Sequence, residues 1–183
     1  MTTWTSDVRG LDALGIFTAL HNHKVKFVVV GGIAAIAHGY TGLTQDADTV
    51  PAYDVANLDR LARALQSLDA QLYAHAERTD LNADGSPPEL DGFAWTGKHL
   101  RSRRVWQFMT SAGPLDVLLV IDGPGGYDVL IRNAEPRTVA GFEVMIAGLD
   151  DLIEAKETAG RDKDLRALGE LRRLRERRDR PEA

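Results

Sequence analysis

The sequence contains no cysteine. Disulfides, thiolate-ligated zinc and thiol catalysis are therefore excluded, and a reducing cytoplasm is the compatible setting. Long apolar runs are scarce as well. The longest, Phe27 to Ala37, is too short and too glycine-rich to cross a bilayer, so no membrane association is expected. The opening MTTWTSDVRG lacks the basic and apolar regions of a secretory leader. No internal repeat or low-complexity tract is visible. What remains is a chain of 183 residues with ordinary composition, long enough for a single domain with a real core. Its net charge of −5 is uneven: from Arg161 to Arg180 nine Lys/Arg face five Asp/Glu, a local +4 that leaves −9 elsewhere. An acidic body with a basic C-terminal helix is not a general nucleic-acid binder. It could hold one phosphate-rich partner at one end, or an acidic protein.

The informative stretch is Phe27 to Pro51, FVVVGGIAAIAHGYTGLTQDADTVP. Phe27 to Val30 fits a buried strand. Gly31 and Gly32 form a turn where backbone can approach a ligand closely, and Ile33 to His38 fits a short helix. A helix starting just after a glycine pair aims its free N–H groups at an anion, for which phosphate is the obvious candidate. If Thr44 to Val50 is a strand, its period of two puts Asp46 and Asp48 on one face. Two adjacent carboxylates repel each other unless a divalent cation sits between them, and hard oxygen donors suit Mg²⁺. Either feature alone is met in ordinary turns and solvated loops. At this spacing on strand, turn, helix, loop and strand, the pair points to nucleotide–metal chemistry.

Around this stretch the periodicities predict packing. A first helix spans roughly Val8 to Asn22, capped by Ser6 or Asp7, with Leu11, Leu14, Phe17 and Leu20 facing inward. His21-Asn22-His23 reads as a polar helix end, since adjacent helical residues do not face one another. Asp54 caps a helix to about Leu68, with Val55, Leu58, Leu61, Leu65 and Leu68 at helical spacing. Gln71 to His75 is a further strand, and Glu77 to Lys98 a long loop carrying the turn signal Asp84-Gly85-Ser86-Pro87-Pro88. Arg101, Arg103 and Arg104 read as a solvated entrance to the strand Val105 to Met109. Pro114 to Ile121 is a buried-strand pattern holding one carboxylate, Asp116. A charge inside an apolar strand needs a cation, a hydrogen-bond network or a place at the sheet's end. Beside the Asp46/Asp48 strand, Asp116 becomes a third metal ligand; at an exposed strand end it simply meets water.

The remainder reads as a turn at Gly123 to Gly126, a short helix over Tyr127 to Asn133, and a hairpin or two short strands from Thr138 to Ala147 around Gly141. A helix from Leu152 to Ala159, capped by Leu149-Asp150-Asp151, is broken by Gly160. A last helix, Lys163 to Arg178, is capped by Asp162, with Leu165, Leu168, Leu171 and Leu174 inward. Lys156 and Lys163 would share a face if the two helices ran on as one.

Gly31-Gly32, Asp46-x-Asp48 and a later strand Asp116 resemble the nucleotidyltransferase fold of DNA polymerase beta-like enzymes. The run Leu149 to Lys156, followed by Ala159 to Leu165, resembles the AbiEii/MenT-type nucleotidyltransferase toxins of bacterial toxin–antitoxin systems. The resemblance spans Phe27 to Leu174, apart from Glu77 to Lys98. It implies an α/β (α+β) fold, a mixed sheet flanked by helices: a core over residues 1–148 and a C-terminal helical segment over 149–183 that closes the nucleotide cleft. It implies that Asp46, Asp48 and Asp116 bind Mg²⁺ in a two-metal site, that Gly31 and Gly32 meet the triphosphate, and that Thr44, Lys156, Arg161 and Asp164 belong to the nucleotide site, with Lys156 catalytic alongside the three carboxylates. Such enzymes transfer a nucleoside monophosphate from an NTP, in some members to the 3′ end of tRNA. A cognate antitoxin neutralises them by binding or by phosphorylating a residue near the Asp pair, here matched by Thr44. Many members have Gly-Ser where this chain has Gly31-Gly32, so one hydroxyl contact to phosphate is missing. The same residues leave room for two other readings: a small-molecule or protein acceptor, and a silent binding module. The two-metal arrangement makes a protein general base optional, and His38 reads as structural.

Overall fold

The computed structural model of the protein describes residues 10–72 and 96–180. Helix α1 (Ala13–Asn22) leads to β1 (Phe27–Val30), α2 (Gly31–Ala37), β2 (Ala47–Pro51), α3 (Val55–Ser67) and β3 (Gln71–Leu72). After the segment outside the described residues come α4 (Gly97–Leu100), β4 (Val105–Thr110), β5 (Gly113–Leu118), α5 (Tyr127–Asn133), β6 (Glu135–Val139), β7 (Phe142–Ile146), α6 (Leu149–Ala159) and α7 (Asp162–Arg178). The seven strands form one mixed sheet in the order β3-β4-β5-β2-β1-β7-β6. β2 runs parallel to β5 and β1 parallel to β7; the remaining pairs are antiparallel. This is the mixed α/β architecture expected from the sequence.

The core follows from the apolar patterns. β1 is buried along its whole length, because helices or neighbouring strands cover each of its sides. Ile16, Phe17, Leu20, Leu58, Leu61 and Leu65 are fully or almost fully buried from α1 and α3. The buried Asn57 side chain donates to the carbonyls of Lys26 and Ala52 and accepts from Lys26 N and Arg60, tying α3 to the ends of β1 and β2. A second cluster joins Ala35 of α2 to Leu149 and Ile153 of α6 and to Ala167, Leu168 and Leu171 of α7. The helical end of the chain therefore packs against the helix that follows the glycine pair.

Several boundaries differ from the sequence reading, for local reasons. α1 begins at Ala13, because Asp12 accepts from Gly15 N and caps it; the expected caps Ser6 and Asp7 lie outside the described residues. Leu14 is 43% exposed and Ile16 takes its place in the core. Val55 and Leu165 are likewise exposed members of their expected stripes. β2 begins only at Ala47, so Asp46 precedes the strand rather than lying within it. β3 ends at Leu72 among the described residues; the rest of the expected strand to His75, and Glu77 to Trp95 of the expected loop, fall outside them. The loop's last residues instead form α4, capped by Thr96. α6 begins at Leu149 with Gly148 at its cap. Asp151 is not capping: its carboxylate accepts from Asn133 of α5. Gly160, at φ +60°, ends α6, and Arg161 rather than Asp162 precedes the first turn of α7. Lys156 and Lys163 therefore belong to two helices.

Candidate active site

The carboxylates converge because of register. β2 and β5 pair in parallel with Asp48 directly opposite Asp116, and β4 places Gln107 opposite Asp116 on the other side. Cross-strand partners share a face, so these three side chains form a row across the sheet. Asp116 is thus in mid-strand, not at an exposed strand end. Asp46 joins from the loop just before β2, and one carboxylate oxygen from each of Asp46, Asp48 and Asp116 lies within 4.8 Å of the others. All three are half-buried. Gln107 Nε2 donates to Asp116 Oδ2 at 3.1 Å and fixes that carboxylate from the side. Sequence reasoning missed Gln107, because only the β4–β5 register connects it to the acidic residues.

The glycine pair serves this cluster. Val30 pairs with Asp48 across the antiparallel β1–β2 ladder, so the chain leaves β1 at the carboxylate. Gly31 adopts φ +63°, and a Cβ there would overlap the Asp48 carboxylate. A Cβ on Gly32 would overlap the Thr44 hydroxyl. α2 starts at Gly31 itself, so the glycines form its first turn rather than a separate turn before it. Thr44 is buried, and its hydroxyl donates to Asp46 Oδ1 at 3.0 Å. The loop carrying Thr44 is anchored to α7 through Thr41, whose N–H and hydroxyl both donate to Glu170 Oε1 at 3.0 Å. His38 is structural, as expected, with Nε2 2.8 Å from the carbonyl of Ala147.

The second predicted group assembles separately at the α6–α7 junction. Asp164, whose side chain is only 4% exposed, accepts from Lys156 Nζ at 3.1 Å and from Arg161 Nε at 2.7 Å. Burial by itself raises its pKa, but the hydrogen bonds and charges of Arg161 and Lys156 outweigh that and hold it below the usual carboxylate value. So the structure brings Lys156, Arg161 and Asp164 together on the C-terminal helices, and Asp46, Asp48 and Asp116 together on the sheet.

Part of the basic C-terminal helix is paired with acidic residues. Arg172 pairs with Glu157 at 2.7 Å, and Arg178 pairs with Asp150 at 3.2 Å, with Arg175 3.5 Å from the same Asp150. Arg172, Arg175 and Arg178 are thus met by acidic residues of α6 and β6, while Arg166, Arg173 and Arg177 are exposed.

Three hard-oxygen donors within 4.8 Å, with no His or Cys among them, match the donor chemistry of Mg²⁺ or Mn²⁺. Together with a glycine-lined helix start beside Asp48, they can hold cations and a phosphate side by side.

No family model matches the sequence, and no curated protein is similar to it. Solved structures are similar in fold. The lincosamide antibiotic adenylyltransferase LnuA, with lincomycin bound, superposes with a TM-score of 0.56 at 11% identity, over 90% of this chain and 99% of that one. ANT(2″)-Ia in complex with adenylyl-2″-tobramycin superposes with a TM-score of 0.50 at 13% identity, over 88% and 91%. The chain has the nucleotidyltransferase fold.

Proposed function

We propose that the protein is a nucleotidyltransferase that moves a nucleoside monophosphate from an NTP to an acceptor hydroxyl. The observation that carries this reading is the Asp46/Asp48/Asp116 cluster beside Gly31, on a fold shared with adenylyltransferases. Asp46, Asp48 and Asp116 would hold Mg²⁺, which supplies charge neutralisation of the triphosphate and a lowered pKa for the attacking hydroxyl. Gly31 and Gly32 let the first turn of α2 pack directly against the Asp48 carboxylate and the Thr44 hydroxyl, and Gln107 keeps Asp116 aimed at the cluster. Lys156, oriented by the buried Asp164, and Arg161 add positive charge for the triphosphate, and the helical segment 149–183 closes the cleft. Bond making to the acceptor oxygen and bond breaking to pyrophosphate are in line, so positioning and charge do most of the work.

The acceptor we favour is RNA, with the 3′ end of tRNA as the specific target and a toxin role neutralised by an antitoxin acting at or near Thr44. This rests on the sequence resemblance at Leu149 to Leu165. A small-molecule acceptor is the second reading, favoured by the antibiotic acceptors of the two superposed enzymes. The test is incubation with each α-labelled NTP, Mg²⁺ and total bacterial RNA, beside Asp46→Ala. Label in a tRNA-sized band that vanishes in Asp46→Ala and with EDTA is the expected result. Label on a small molecule or protein instead would reject the RNA acceptor, and no label with any acceptor would reject transfer.

A further inference from the structure

The three carboxylates of the acidic cluster are not held in the same way. Asp48 and Asp116 lie within β2 and β5, opposite each other, and each has a partner on its far side, Val30 of β1 and Gln107 of β4. Neighbouring strands on both sides fix where such residues point. Asp46 stands outside these ladders. The β2–β5 pairing begins at Ala47, so Asp46 belongs to the loop that joins α2 to β2. A loop carboxylate facing two others is pushed by their charge toward water. What keeps it in the cluster must come from the loop itself.

Thr44 is the side chain in place to do this. Its neighbour Leu43 is 83% exposed, whereas Thr44 is turned inward to 9%. The Thr44 hydroxyl lies 3.0 Å from Asp46 Oδ1 and 3.2 Å from the Asp46 carbonyl oxygen, with one proton to share between them. Both acceptors belong to Asp46, so one hydroxyl ties down its backbone and its carboxylate. A carboxylate that accepts this bond keeps further lone pairs for a cation. Thr44 depends in turn on Gly32, because a Cβ there would overlap both its hydroxyl and its own Cβ. The start of the loop is anchored too, by His38 against the Ala147 carbonyl and by Thr41 on Glu170 of α7.

We propose that Thr44 is a positioning residue: its hydroxyl acts on the bound cation through Asp46 and does not itself touch the triphosphate. This deepens the proposed function and rests on its metal-binding part. Groups that orient a ligating side chain from behind typically carry about 10–100-fold in metal affinity. Without the hydroxyl, a cation must first draw Asp46 in against its rotamer freedom and the charge of Asp48 and Asp116.

The test is Mn²⁺ titration without nucleotide, read as loss of the free-ion electron paramagnetic resonance signal. Thr44→Val keeps the shape, removes the hydroxyl and weakens Mn²⁺ binding at least about 10-fold. Its melting temperature in EDTA stays within a few degrees of wild type. Thr44→Ser keeps the hydroxyl and binds Mn²⁺ nearly as the wild type does. Gly32→Ala, which displaces Thr44 without altering it, weakens binding in the same direction. The transfer rate of Thr44→Val recovers as Mn²⁺ is raised, whereas that of Asp46→Ala does not. Wild-type Mn²⁺ affinity in Thr44→Val, with loss only of affinity for a non-hydrolysable NTP analogue, would overturn the proposal and make the hydroxyl a phosphate contact. An equal loss in Thr44→Ser would overturn it in favour of packing, and so would a wild-type chain that binds no Mn²⁺. Thr44-dependent Mn²⁺ binding without label transfer to any acceptor sinks the transfer reading and spares this one. Transfer that needs Asp46, beside unchanged Mn²⁺ affinity in Thr44→Val, does the reverse.

Discussion

Two of the ionic clusters among the described residues are built on opposite principles. At the sheet, Asp46, Asp48 and Asp116 gather three like charges within 4.8 Å. At the α6–α7 junction, one buried carboxylate, Asp164, is met by Lys156 and Arg161. The second arrangement is compensated within the fold, and breaking it leaves a buried charge without its partner. The first is a self-repelling group that folding alone gives no reason to assemble, and Gly31 is kept free of a side chain to make room for it. The comparison teaches where to look for chemistry: the cluster that costs stability is the one whose retention asks for a ligand.

The largest effect that could break this contrast comes from the acidic side. Asp48→Asn is expected to lower nucleotidyl transfer by at least about 10³-fold, about 4 kcal/mol of transition-state stabilisation. Its melting temperature without divalent cation is expected to be equal to or above wild type, because one repulsion is removed. Parallel rate and thermal-melt measurements check both halves. A large fall in melting temperature would place Asp48 with the structural residues instead.

Asp164→Ala is the mirror experiment. It strands Lys156, so a stability loss on the order of 3 kcal/mol is expected from urea titration. Gly31→Ala sharpens the picture between these extremes. The new methyl group would collide with the Asp48 carboxylate and occupy a left-handed backbone position, so activity falls by about 10²-fold or more while the stability cost stays near 1–2 kcal/mol.

The pH dependence gives a finer test. Burial opposes ionisation of Asp164, but Arg161 and Lys156 prevail and its folded pKa lies below the usual value. Its contribution is therefore fully present above about pH 4 and is lost as pH falls through the folded value. Asp151 behaves oppositely: burial first, then Glu154 and Asp150, raise its pKa against the hydrogen bond from Asn133. Folding favours its protonated form, so its contribution improves as pH falls through the raised value. Urea midpoints between pH 7 and pH 3 should fall less steeply in Asp164→Asn than in wild type, and more steeply in Asp151→Asn. The smallest effect is expected from Arg178→Ala, which removes an exposed pair with Asp150 and should cost less than about 1 kcal/mol, vanishing in high salt.

What the sequence made legible was whatever rests on near neighbours in the chain. The turn at Gly141 and the break at Gly160 appear where local patterns put them, whereas Gly31-Gly32 open α2 itself and Asp46 precedes β2 instead of sharing it with Asp48. Long-range register was not legible. Asp116 could have stood at a strand end, and only the β2–β5 pairing sets it opposite Asp48. Gln107 is visible only through the β4–β5 ladder. The basic run of α7 was legible, but its partners Asp150 and Glu157 lie on another helix and were not. The arginines before β4 are exposed, as read, but the ring under Arg101 comes from Tyr53, far away in sequence.

The most direct test of the central claim counts cations. Calorimetric titration of Mn²⁺ into the protein with a non-hydrolysable NTP analogue should report up to two ions per chain, with binding abolished in Asp48→Asn and preserved in Arg178→Ala. Equal Mn²⁺ binding by wild type and Asp48→Asn would contradict the account, because the three carboxylates would then be gathered for something other than metal.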